Sequence, residues 1–269
     1  MDLERVHTAV LDWYAVQGRD LPWRRTRDPY AILVAEVMLQ QTQVERVMPK
    51  WHAWLARFPT VGDLAAASRA DAIREWQGLG YNLRAVRLHA IARQCVEEFD
   101  GRLPNSVAGL LRLKGVGPYT AGAVACFAYE QHVGMVDTNI RRVLSRVFEV
   151  DDVDDVESIA GSVVPSGEPY AWNQALMDIG ATLCRPREPL CLLCPLRELC
   201  AGPRATARRP RSQGIFRESN RYQRGRILDA LRSTPDGFPV AQFRADLLRD
   251  LVRDGLVEVD SKGRARLPV

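Results

Sequence analysis

The sequence predicts an all-α protein with a small α+β appendage, and three observations carry that expectation. Apolar residues recur at helical spacing nearly everywhere up to about Cys200, while Val, Ile and Thr form no alternating strand run of useful length. Four cysteines crowd into residues 184–200. Beyond them the composition shifts abruptly to arginine, with eight (204, 208, 209, 211, 217, 221, 224, 226) against the single acid Glu218.

Taken in order, punctuation falls at Gly18, Pro29, Pro59, Gly78-Leu-Gly80, Gly101 to Pro104, Gly115-Val-Gly117 and Pro165 to Pro169, leaving helices of ordinary length with short connections. The acidic run Asp151 to Glu157 reads as a solvated loop and helix start. Residues 204–219 read as a basic linker. After it, Arg221 to Arg232 and Arg244 to Arg253 are amphipathic, and Leu256 to Leu267 reads as strand, Ser-Lys-Gly turn and strand. Helices closed by a hairpin make 220–269 a winged-helix-like module.

At 269 residues, 46% hydrophobic and 26% charged, the chain can bury a real core, which excludes disorder and collagen-like repetition. Net charge is only +4, but just three of the 37 basic residues are lysines, and guanidinium suits bidentate phosphate contacts. A GC-rich coding sequence would produce the same bias. No apolar run reaches the roughly 18 residues of a spanning helix, and the start, Met-Asp-Leu-Glu-Arg, has no secretory pattern. A cytoplasmic protein with reduced thiols is the expectation.

Cys184, Cys191, Cys194 and Cys200 form C-x6-C-x2-C-x5-C. Structural zinc usually takes two C-x2-C knuckles and only one is present, which favours a [4Fe-4S] cluster. Cys95 and Cys126 lie in apolar surroundings and read as core residues. Leu113-Lys-Gly-Val-Gly-Pro-Tyr-Thr is a two-glycine turn of the helix-hairpin-helix kind, whose Gly115 and Gly117 let backbone N–H groups approach a DNA phosphate, or simply join two helices. Glu36 sits in a run apolar almost all round, so its carboxyl is either paired with an Arg or desolvated and able to donate a proton near neutrality. Asp137 stands at a helix start, where an N-cap is the simplest role.

With these residues in view, the chain resembles the helix-hairpin-helix DNA glycosylases, and specifically the MutY-type adenine glycosylases. Leu21-Pro-Trp-Arg, Ala35-Glu-Val-Met-Leu-Gln-Gln-Thr-Gln, Trp76-Gln-Gly-Leu-Gly-Tyr, Leu113-Lys-Gly-Val-Gly, Val136-Asp-Thr-Asn, Asn173-Gln-Ala-Leu-Met-Asp and the cysteine set match in order over roughly residues 5–200. The resemblance implies two helical lobes: 1–28 with 138–203 as the iron-sulfur domain, and 29–137 as a six-helix domain. It implies that Glu36 protonates adenine at N7, that Asp137 stabilises the oxocarbenium-like sugar, that Tyr119 sits beside them and that Asn139 orients water. Trp23, Arg24 and Gln174 would surround the flipped base, and Gln41 and Tyr81 would wedge into the stack. Arg185 and Arg187 join the implied DNA-binding set. The implied partner is double-stranded DNA carrying a mismatch or oxidised guanine, bound by a monomer at the bacterial nucleoid.

Bifunctional relatives resembling endonuclease III carry a Lys where Tyr119 stands, and Lys114 lies on the wrong side of the hairpin, so little or no lyase activity is implied. The chain departs from the family at Asn82 and Thr138, where Tyr and Gly are usual. The roughly 65 residues from the linker onward also cannot hold the usual Nudix-like domain. The leading reading is removal of adenine opposite 8-oxoguanine or guanine. The rivals are a thymine or uracil mismatch glycosylase of the same fold, favoured less by Glu36 and Gln174, and a DNA-damage binding protein without catalysis. The C-terminal appendage is expected to supply mainly phosphate contacts.

Overall fold

The computed structural model describes residues 2–150, 152–202 and 218–268. Most of the linker expected at 204–219 lies outside the described residues, including the arginines at 204, 208, 209, 211 and 217. No helix among the described residues is long and apolar enough to cross a membrane. The chain forms two compact units, one of residues 1–32, 105–112 and 116–209, the other of 33–104, 113–115 and 210–269.

In the first unit α1 (Leu3–Gln17) is started by Asp2, whose carboxylate accepts from the Arg5 N–H at 3.2 Å. It packs on α11 (Pro169–Thr182), which also carries α9 (Thr138–Phe148) and α8 (Pro118–Tyr129). The short α7 (Val107–Leu111) lies against α8, and α10 (Val153–Ser162) against α9. Every residue of α8 from Thr120 to Phe127 is buried, so this helix is enclosed on all sides. Pro29, expected as a stop, is the first residue of α2 (Pro29–Leu39), where its missing N–H costs nothing.

The second unit is built on α6 (Leu83–Glu98), against which α4 (Val61–Ala66) and α5 (Arg69–Glu75) pack, and it also contains α3 (Val44–Arg57). Thr60 and Asp63 cap α4 reciprocally, and Ser68 caps α5. Trp54 and Trp76 are fully buried and meet edge to face with centroids 5.4 Å apart.

The same unit contains the C-terminal segment. Helices α12 (Asn220–Arg232) and α13 (Ala245–Arg253) are followed by the expected hairpin, β2 (Glu258–Val259) and β3 (Arg264–Arg266). A strand the sequence did not announce, β1 (Phe238–Pro239), precedes α13 and makes the antiparallel order β1-β3-β2, with Phe238 opposite Ala265 and Glu258 opposite Arg266. The segment is not a free-standing module. Ile227, Leu231, Leu251 and Leu267 share one buried cluster with Ala70 and Ile73 of α5. Arg232 adds hydrogen bonds to the Ile73 carbonyl at 3.2 Å and to Asn82 Oδ1 at 2.7 Å. Residues 220–269 thus lie in one unit with α3 to α6, while α7 and α8 lie in the unit of the N-terminus and cysteines.

Candidate active site

The expected site residues fall in both units: Trp23, Arg24, Tyr119, Asp137, Asn139, Gln174 and the four cysteines in the first, Glu36, Gln41, Tyr81 and Gly115 in the second.

Asp137 is the N-cap of α9, and its Oδ1 accepts from the N–H groups of Asn139 at 2.9 Å and Ile140 at 2.7 Å. Its Oδ2 accepts from Asn139 Nδ2 at 3.1 Å, so capping and pairing hold two candidate residues as one constellation. Sequence reasoning missed the residue that anchors this pair. Arg142, one turn along α9, donates to Asn139 Oδ1 at 2.8 Å, to the Gly180 carbonyl at 2.7 Å and to the Cys184 carbonyl at 2.5 Å. Only glycine fits at 180, because a Cβ there would stand 2.6 Å from that of Asn139. The i+3 spacing from Asn139 was the available signal, but many surface arginines share it.

Tyr119, the second residue of α8, donates its hydroxyl to Met177 Sδ at 3.8 Å. Gln174 is buried one turn before Met177 on α11. Trp23 is buried in the turn Pro22–Arg24. Arg24 has a second role the motif did not reveal: its Nη1 and Nη2 make a two-bond fork to Asp178, each 2.8 Å, while Arg19 adds bonds from Nε at 2.7 Å and from its backbone N–H at 2.9 Å. Burial alone would raise the fully buried Asp178 carboxyl, but these guanidinium and N–H bonds hold it below its ordinary value.

In the second unit Glu36 is 5% exposed. Gln41 (φ 56) and Tyr81 (φ 46) both occupy the left-handed region, uncommon for residues other than glycine and found where surrounding structure over-determines the backbone. Buried Arg84 provides that over-determination. Its guanidinium donates to the carbonyls of Gln40 at 2.6 Å and Gly80 at 3.2 Å, the residues directly before Gln41 and Tyr81, and also to Val37, Met38 and Leu79. Burial pushes this guanidinium down to about 10, which leaves it a cation at neutral pH. Gly115 (φ +98) adopts a backbone that L side chains rarely take, and Gly117 starts α8 without a side-chain cap, the form an anion-binding helix start takes.

The cysteine segment follows α11. Cys184 Sγ accepts from Arg146 Nη1 at 3.1 Å, and Cys200 Sγ accepts from the Gly202 N–H at 3.4 Å. Burial, with the neighbouring Cys184, Cys200 and Cys191 thiols, pushes the Cys194 thiol up to about 11. No group of three or more His, Cys, Asp or Glu among the described residues has the geometry of a formed metal site. The donor set nevertheless fits a cluster. Arg146 is buried with its Nε lacking a hydrogen-bond partner, and a buried cation donating to sulfur suits a centre with negative charge. Arg185 and Arg187 are exposed within this segment. Cys95 and Cys126 are fully buried, and burial pushes their thiols up to about 11 and about 12, as inert core residues require.

Comparison with known proteins adds an independent line. The profile of the HhH-GPD superfamily base excision DNA repair proteins matches residues 34–165. An adenine DNA glycosylase of Mycolicibacterium smegmatis is 42% identical over 278 residues, covering 96% of this chain and 94% of its own. One from Mycobacterium tuberculosis is 39% identical, covering 97% and 93%. Among solved structures, a thermostable thymine-DNA glycosylase superposes with TM-score 0.70 at 32% identity, covering 74% of this chain and 95% of its own.

Proposed function

The chain belongs to the HhH-GPD superfamily of base excision DNA repair proteins, and from that membership we propose that it is a DNA N-glycosylase that removes adenine mispaired with 8-oxoguanine or guanine. The observation that carries this reading is the 42% identity to an adenine DNA glycosylase along 96% of the chain, C-terminal segment included. The enzyme acts as a monomer on double-stranded DNA at the nucleoid of a bacterial cell.

Glycosidic cleavage develops positive charge on the sugar, and a fixed carboxylate is what stabilises it. Asp137 supplies that group, held still by two N–H bonds and by Asn139. Asn139, anchored by Arg142, is placed to orient the attacking water. Glu36 is the acid that donates a proton to the leaving base at N7, an atom only a purine offers there. Tyr119 stands where a lyase would need an amine, and a phenol forms no Schiff base, so the product is an intact abasic site. Gln41 and Tyr81 enter the base stack, since a base must leave the duplex to be reached. Gly115, Gly117, Arg185 and Arg187 contact phosphates.

Cys184, Cys191, Cys194 and Cys200 would hold a [4Fe-4S] cluster. When bound, it supplies four iron–thiolate links that fix the segment carrying Arg185 and Arg187.

A second reading, release of thymine or uracil opposite guanine, has the likeness to a thymine-DNA glycosylase in its favour. Duplexes carrying A opposite 8-oxoguanine, A opposite G, T opposite G and U opposite G, treated with enzyme and then alkali, separate the two. Strand breaks at adenine, appearing only after alkali, are expected. Breaks at pyrimidines alone would transfer the protein to the second reading, and borohydride trapping of a protein–DNA adduct would contradict the assignment as a pure glycosylase.

A further inference from the structure

The sequence assigns the C-terminal appendage no more than phosphate contacts, yet the structure brings it to one of the two candidate wedge residues. Arg221, in the first turn of α12, lies over the Tyr81 ring with its Cζ 4.9 Å from the centroid, and its Nη1 donates to the Tyr81 hydroxyl. Next along the chain, Asn82 accepts from Arg232 of the same helix at 2.7 Å. Both residues that follow Gly80 are thus met by α12, and Asn82 stands at a position where the resembling family usually has tyrosine. The shared core with α5 fixes that approach.

Between α12 and the segments carrying Gln41 and Tyr81 runs a groove of about 900 Å³ within this unit. Its described lining holds seven arginines and three aspartates. All three aspartates are already engaged, Asp229 by Arg232, Asp250 by Arg253 and Asp254 by Arg224. Arg46, Arg87 and Arg226 are exposed. A polyanion with stackable rings is the ligand this lining fits: cations for phosphates along the rim, and a guanidinium–phenol pair at the wedge for a base.

We propose that this groove holds the DNA strand opposite the excised base, and that Arg221 is a specificity-determining residue there. When Tyr81 enters the stack, the Arg221 fork passes from the tyrosine to the O6 and N7 edge of the unpaired guanine, a pairing that guanidinium geometry favours and cytosine cannot offer. The inference rests on the reading of the protein as an adenine glycosylase, because that reaction at adenine opposite guanine is what leaves a guanine, with O6 and N7 both able to accept, without a partner.

The test measures binding by fluorescence anisotropy to duplexes with a tetrahydrofuran abasic analogue opposite guanine or cytosine, at two salt concentrations. It compares the full-length protein with Arg221→Ala, Tyr81→Phe and the double variant, with far-UV CD to verify folding. Wild type should prefer guanine. Arg221→Ala should lose about tenfold in affinity on guanine and little on cytosine. In the Tyr81→Phe background its effect should not be additive. Equal losses on both partners with a salt slope smaller by about one would make Arg221 an ordinary phosphate contact and overturn the proposal. Unchanged affinity on both would overturn it too, as would a wild type indifferent to the partner base. If that wild type still releases adenine, the glycosylase reading stands; if it releases none, that reading falls and takes the inference with it.

Discussion

Arg24 and Arg84 are both guanidiniums almost withdrawn from water, and they have opposite partners. Arg24, in the first unit, forks onto Asp178, with Arg19 on the same carboxylate. Burial alone would lower its proton affinity, yet hydrogen bonding and charge from Asp178 raise it above the ordinary value. Arg84, in the second unit, donates to five backbone carbonyls and to Thr42 Oγ1 at 3.1 Å, and burial pushes it down to about 10. A carboxylate partner gives strength at one point, between side chains 154 residues apart in sequence. A set of carbonyls gives shape, since one planar fork fixes the two backbone segments that end in Gln41 and Tyr81. The first arrangement ties the segment after α1 to α11, and the second holds two residues in a backbone conformation they would not keep unaided.

The sharpest way to break this comparison is at the carboxylate. Asp178→Asn leaves Arg24 charged and buried without its counter-ion, and should cost about 3–5 kcal/mol of folding stability in urea unfolding. The folded Asp178 is held below its ordinary value, so its contribution is complete above that value and disappears as pH falls through the lower, folded one. Wild-type stability should therefore drop as pH falls below about 4, and that acid limb should flatten in the variant. An unchanged acid limb would show that Asp178 does not carry it.

Arg84→Lys keeps the charge but offers fewer donors in no fixed plane. Loss of carbonyl partners should cost about 1–3 kcal/mol, and DNA affinity should fall because Gln41 and Tyr81 lose their support. Wild-type affinity in that variant would mean the two left-handed residues hold themselves. The smallest effect on DNA binding is expected at Gly180→Ala. Its Cβ would press on the Cβ and backbone of Asn139, atoms that cannot swing aside, with a stability cost toward the upper end of about 1–3 kcal/mol. Single-turnover base release should fall while duplex binding remains.

These contacts also mark where sequence reading stops. The helices were legible because each buries a stripe or a whole surface. Asp137 was legible as a cap because Thr-Asn-Ile follows it, and the cysteines because ligand spacing is local. Asp178 was visible only as the end of a motif, since its partners lie at residues 19 and 24. Arg84 looked like one more arginine on a helix, because the carbonyls it gathers carry no side-chain signature. The two-residue strand β1 is too short for alternation to register. The joining of 220–269 to α5 depends on Ala70 and Ile73, which read as ordinary helix-face residues.

In the proposed reaction a carboxylate fixed at the start of α9 drives removal of adenine. This is tested most directly by single-turnover release of free adenine from a duplex with adenine opposite 8-oxoguanine, comparing wild type with Asp137→Asn. Asparagine can still accept the capping N–H bonds but brings no charge. The rate should fall by about 10²–10³ while affinity for the uncleaved duplex stays within a few-fold. Adenine release at the wild-type rate from Asp137→Asn would contradict the account.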